Sequence, residues 1–252
     1  MKLSNIGQRA SARGLTLIEL VVVLAILVAL AGLIIGNFPS LLRKASGSTS
    51  ANTIQDIARA VSIRQTTLNS VGSGYDSLLT TGGAVFPQLP PGCLTNITAV
   101  ALGTDSPALA ELGIQQICNL AYLTDATWTV ASSNNLVTNT TTTLAARASA
   151  FMVNKLIPNS SAYVGTPQVW LFGVGKITTL VGAGSTLLEA PTRTGTSEFE
   201  NAQNYYQRYV IAFVVDNSGI GGTRRARFLG ALAPTANGFS LTDDATQMYN
   251  QN

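Results

Sequence analysis

A chain of 252 residues with a strongly apolar start leaves room for one globular domain behind a long helix. It contains no histidine, which excludes Ser-His-Asp and Cys-His catalysis, histidine-ligated metal sites and histidine-ligated haem together. The pI near 9.0 points to an acidic partner, but three of the 15 Lys and Arg (Lys2, Arg9 and Arg13) precede Leu15, leaving 12 basic residues against 12 acidic ones in the rest. Charged residues make up only 11% of the chain, and Ser, Thr, Asn and Gly dominate the remaining polar positions. That balance suits an exported surface of hydroxyls and amides, and it does not suit a disordered polyelectrolyte.

Residues 1–14 are short, polar and basic, and read as a leader. A secretory signal peptide places its apolar region before the cleavage site, whereas here the candidate junction, Gly14, precedes the apolar block, so that block survives processing. From Leu20 to Leu42 there is no charge, and at ~1.5 Å per residue such a helix is expected to cross a ~30 Å hydrocarbon core. Residues 15–36 are therefore expected to span a membrane, with the amino terminus inside because Lys2, Arg9 and Arg13 precede the span. Glu19 lies within that entrance, where an ionised side chain costs at least ~2.5 kcal/mol, so it should gain something specific. At Pro39 the lost backbone donor predicts a kink or local break rather than an end. Residues 37–70 then continue as an amphipathic helix, with Ile54, Ile57, Val61 and Leu68 on the face expected to meet a sheet, and Gly72 and Gly74 ending it.

Residues 71–252 form the expected head. Gly82, Gly83, Pro87, Pro90 and Pro91 mark a loop, and Ser106-Pro107 starts a helix carrying Leu109, Leu112, Ile117 and Leu120 on one side, with Cys118 on it. Thr138 to Thr143 read as a threonine-rich loop, and Leu144 to Leu156 as a short helix. The best strands are Gln168 to Gly173, Arg208 to Val215 and Arg225 to Leu232, the last two joined by a hairpin loop through Asp216-Asn217-Ser218-Gly219 and Gly221-Gly222. The expected fold is α+β, a long N-terminal helix packed on an antiparallel sheet. Cys93 and Cys118 are an even pair in a part expected outside the cytoplasm, which reads as a disulfide, with two unpaired buried thiols as the alternative.

The run Gly14-Leu15-Thr16-Leu17-Ile18-Glu19, followed by Leu20-Val21-Val22-Val23-Leu24-Ala25-Ile26-Leu27, resembles the class III signal of type IV pilins and type II secretion pseudopilins. The resemblance is specific over about residues 13–35 and architectural beyond them. It implies a pilin-like fold, cleavage by a prepilin peptidase after Gly14, N-methylation of Leu15, and assembly through Glu19, whose carboxylate would answer the terminal amine of a neighbouring subunit. The implied function is structural and not enzymatic: a subunit of a type IV pilus-like helical homopolymer, held in the inner membrane as a single-pass protein and then carried in a periplasmic or cell-surface filament. The implied partners are further copies of itself, the peptidase, the membrane before assembly, and an inner-membrane assembly platform with its assembly ATPase. No cofactor or metal is expected. Alternatives are a secretion pseudopilin, or a minor pilin or adhesin acting as an anchored binding module, which abundance in sheared filaments would separate. Leu15 in place of the family's usual Phe, with a long leader and a large head, leans toward type IVb-like pilins, as does Gly74-Tyr75-Asp76-Ser77-Leu78-Leu79 after the helix. Pilins often bridge cysteines near the carboxyl end, whereas Cys93 and Cys118 lie mid-chain.

Other constellations have plainer readings. Arg224, Arg225 and Arg227 suit a solvated sheet face, with a neighbouring subunit as the next reading and nucleic acid not expected. Asp216-Asn217-Ser218-Gly219 reads as a turn; with Asp243-Asp244 it offers too few oxygens for calcium. Gly173-Val174-Gly175-Lys176-Ile177-Thr178 lacks the first glycine and the hydroxyl of a phosphate loop. The triplets at Asn96, Asn139 and Asn159 match the glycosylation sequon, as a chain rich in Asn, Ser and Thr would by chance.

Overall fold

The computed structural model describes residues 16–121, 129–136, 142–159, 162–195 and 198–241. The chain divides into two compact units, with the boundary between Leu41 and Leu42. Helix α1 runs from Leu17 to Leu68 and continues through position 39. It ends where Asn69 turns to a left-handed backbone (φ 50°).

The described residues from 42 onward carry nine strands in one mixed sheet. These are β1 (Tyr75–Thr80), β2 (Ile97–Ala101), β3 (Gln116–Ala121), β4 (Thr129–Asn135), β5 (Leu144–Ala148), β6 (Gln168–Gly173), β7 (Val210–Asp216), β8 (Arg225–Thr235) and β9 (Gly238–Ser240). The order is β4-β3-β1-β6-β7-β8-β9, with β5 on β6 and β2 on β5. β1 meets β6 only where Asp76 pairs with Gly173, and β5 takes Trp170 and Leu171, so the sheet forks beside β6. Strands β1 and β3 are parallel, joined by a crossover through α2 (Pro91–Leu94), β2 and α3 (Asp105–Glu111). The last helix, α4 (Ala150–Leu156), starts at Ser149, whose hydroxyl accepts from Met152 N.

Strands β6 and β7 are buried on both sides, and their two-residue alternation sorts them into two cores. Trp170, Phe172, Ile211, Phe213 and Val215 join Tyr75, Leu109 and the α1 residues Ile54, Ile57 and Val61. Val169, Leu171, Val210, Ala212 and Val214 join Phe86, Leu89, Cys93, Met152 and Phe239. Tyr75, Phe172 and Phe213 meet at ring centroid distances of 6.0 to 6.4 Å, within the range of favourable tilted aromatic contacts.

Several expectations are corrected. The sheet is mixed rather than antiparallel, because β1 and β3 run side by side in one direction. The long helix does not lie on it as a whole: among the described side chains of α1 those in the core come from Ser50 to Val61, and Leu68, expected inward, is exposed. Among the described residues no helix is long and apolar enough to cross a membrane, which overturns the spanning segment and the single-pass inner-membrane placement. Cys118 lies on β3 and not on α3, since Gly113 takes a left-handed φ of 106° that stops the helix. The segment expected to be one helix from Leu144 is a strand, β5, followed by α4.

Candidate assembly site at the start of the first helix

Thr16 and Glu19 close the start of α1 with reciprocal hydrogen bonds. The Thr16 hydroxyl accepts from the Glu19 backbone N at 3.3 Å, and Glu19 Oε2 accepts from both Thr16 N and Thr16 Oγ1 at 2.9 Å. This is the Thr-x-x-Glu capping box, which satisfies backbone donors that the first turn leaves without partners. The backbone and hydroxyl donors of Thr16 hold the Glu19 carboxyl below its ordinary value, so it is an anion at neutral pH. The spacing Thr16-Leu17-Ile18-Glu19 announces this cap, a local role that the family resemblance obscured. Gly14 and Leu15 lie outside the described residues. Immediately after the cap the side chains turn apolar and outward: Leu17 is 81% exposed, and Ile18, Leu24, Leu27, Ile34, Ile35, Leu41 and Leu42 are exposed as well. The described geometry therefore offers an anion at one end of an uncovered apolar rod.

A second cluster lies inside the sheet, and the sequence reading missed it. Asp76 on β1 is fully buried, and its Oδ2 accepts from Tyr206 Oη at 2.7 Å and from Arg208 Nη1 at 3.0 Å. Burial raises the Asp76 carboxyl above its ordinary value, with the Arg208 charge and the Tyr206 hydroxyl opposing that rise. Gly173 and Gly175 make room for the cluster: a Cβ on Gly175 would lie 2.2 Å from Asp76 Oδ1, and one on Gly173 would lie 1.8 Å from Tyr206 Oη. The glycines that superficially suggested a phosphate loop are thus the cradle of a buried carboxylate. The missed signal was a lone Asp in a strand with no other charge, Tyr75–Thr80, since such a charge needs a partner from elsewhere in the chain.

The remaining candidates resolve individually. Cys93 and Cys118 are both buried free thiols, so the expected bridge between them is not formed. Cys93 Sγ is directed at Thr235 O at 3.5 Å, in the second core, while Cys118 stands opposite Asp76 in the β1–β3 pairing. Burial pushes the Cys93 thiol up to about 12. It pushes Cys118 up to about 11, with the Asp76 charge adding to the effect. Arg224 Nε donates to Asp105 Oδ1 at 2.6 Å, and Asp105 Oδ2 also accepts from Trp170 Nε1 at 2.8 Å. Arg227 pairs with the buried Asp216 and stacks 5.0 Å from the Tyr163 ring centre, while Arg225 is exposed. Asp216 Oδ1 accepts from Ser218 N and Oγ, the bonds of an Asx turn. Asp243 and Asp244 lie outside the described residues, as does Asn139, while the sequon residue Asn96 is buried. Comparison with family models, with curated proteins and with solved structures finds no match for this chain.

Proposed function

We propose that this chain is a structural subunit of a type IV pilus-like filament, freed by a prepilin peptidase after Gly14 and polymerised through α1. The observation that carries the reading is the exposed apolar side chains of residues 17–42 behind a capped, anionic helix start. Contiguous apolar surface of that kind marks an interaction site, and covering each half-exposed Leu, Ile or Val stabilises an assembly by roughly 1 kcal/mol. A homopolymer covers the rod with copies of itself. Glu19 then meets the new amine of Leu15 on a neighbouring subunit, and the paired charges offset a desolvation cost that neither could carry alone. The assembly platform and its ATPase would supply the work of polymerisation.

Two substitutions test the reading. Gly14 replaced by a bulky residue should leave the leader attached, and Glu19→Val should reduce filament yield. Intact mass checks the first, and quantified sheared filaments check the second. A mature mass unchanged in the Gly14 variant, or wild-type yield from Glu19→Val, would remove the basis of the proposal.

A further inference from the structure

Among described residues beyond Leu42, the two most exposed large apolar side chains are Ile220, at 97%, and Leu188, at 83%. Other exposed apolar side chains lie on the same segments. Ile220 occupies the β7–β8 hairpin tip, and the exposed Val164 is held to the same hairpin by Asn217 N donating to Val164 O at 3.0 Å. Leu188 belongs to the long connection from β6 to β7, which also displays Ile177.

Both tips are fastened. Around Ile220, Gly219 N donates to Thr223 O and Gly222 N to Gly219 O, each at 3.0 Å, and Thr223 Oγ1 donates to Ile220 O at 3.1 Å. Beside Leu188, Gly182 N donates to Leu187 O at 2.9 Å, and Leu187 turns inward against the first core. A large hydrophobic side chain presented to solvent on a hydrogen-bonded loop suits contact with a partner better than it suits the free chain.

The two tips lie at opposite ends of the sheet. β6 runs from Gln168, beside Val215, to Gly173, beside Val210, and the Ile220 hairpin follows Asp216 at the first end. The Leu188 loop leaves from the second end, where Thr179 N donates to Ser73 O just before β1 and Leu187 N donates to Leu180 O. A six-residue strand at ~3.3 Å per residue separates those ends by roughly 20 Å. Their charges also differ. At the Ile220 end Arg224 and Arg227 pair with Asp105 and Asp216, while Arg225 is exposed. Leu188 is followed by the exposed Glu189, and Lys176 stands at the far side of that loop, before Ile177. Joining like ends would set Arg225 against its own copy, whereas joining unlike ends sets it against Glu189.

We infer that copies of this chain meet head to tail, the Ile220 hairpin of one seated on the Leu188 loop of the next, with Arg225 facing Glu189 across the contact. The contact is heterologous and therefore propagates instead of closing as a dimer. It rests on the filament reading, adding a seam between successive subunits, made by residues beyond Leu42, to the assembly carried by α1.

The test uses the full chain with Leu188→Cys and Ile220→Cys together, isolated as sedimenting polymer and treated with a mild oxidant. A disulfide needs Cα atoms within about 7 Å, so these two cysteines cannot bridge within one chain, and the native thiols are buried. The expected result is a covalent ladder on a non-reducing gel, absent from the parent chain. Arg225→Glu or Glu189→Arg alone should lower ladder yield on the order of tenfold, and the two together should restore it. Sedimenting polymer without a ladder overturns the seam and leaves the filament reading standing. Neither polymer nor ladder overturns both.

Discussion

At Thr16 and Glu19 one carboxylate closes a helix cap and is also the group proposed to meet a neighbour's amine, and chemistry separates the two roles. Gln serves in a capping box almost as well as Glu, but it carries no charge. Glu19→Gln should therefore keep α1 helical, measured by circular dichroism, while sheared filament yield falls toward that of Glu19→Val. Full yield from the Gln variant would reduce Glu19 to a cap. Asp76 poses a different question because it is fully buried, bonded to Tyr206 and Arg208 and opposite Cys118 in the sheet. Removing the acceptor with Asp76→Ala leaves the Tyr206 hydroxyl and the Arg208 guanidinium buried without their shared partner, which should cost about 3 to 5 kcal/mol in urea unfolding. The pH dependence has a definite sign. A carboxyl raised in the folded chain contributes stability that is complete below its unfolded value near 3.8 and is lost as pH rises through the raised value. The stability gap between the parent chain and Asp76→Ala should consequently widen as pH falls from neutral toward 4, and a gap that narrows would contradict the raised carboxyl. The two sites differed in legibility for a physical reason. Thr16 and Glu19 are three residues apart, so their chemistry is written locally, whereas Asp76 and Tyr206 are 130 residues apart and only the sheet brings them together.

Among the elements, β6 and β7 were readable because burial on both faces demands a continuous apolar run rich in branched and aromatic residues, which few other structures tolerate. Strand β5 was not readable. Leu144-Ala145-Ala146-Arg147-Ala148 favours helix by propensity, and it is extended because β2 and β6 pair with it on either side. β3 was concealed differently: Leu109, Leu112, Ile117 and Leu120 keep a helical spacing across Gly113, whose backbone breaks the period. In α1 the pattern identified the right face but ran too far toward its end. Ile57 is fully buried and Ile63 is 44% exposed, so Ile57→Ala should destabilise by about 2 to 5 kcal/mol and Ile63→Ala by less than about 1 kcal/mol. Denaturant midpoints would check this, and equal losses would place the inner face of the helix elsewhere.

For the molecule as a whole, the core begins at Ser50, and the described residues before Leu42 fall in the other unit, with their apolar side chains exposed. Stability and assembly should therefore be separable by a single cut. A chain starting at Leu42 retains the α1 residues Ile54, Ile57 and Val61, the whole described sheet and both buried cores. Its melting temperature should stay within about 4 °C of the full chain measured as a monomer, the shift that about 1 kcal/mol produces in a domain of this size. It should also fail to sediment as polymer, because the apolar rod is gone and the hairpin-to-loop seam, a small contact, cannot by itself offset the entropy of association. Calorimetry and sedimentation read the two halves independently. A large drop in melting temperature would mean that the early helix supports the core, whereas continued polymerisation of the shortened chain would move the principal assembly surface from α1 to the head.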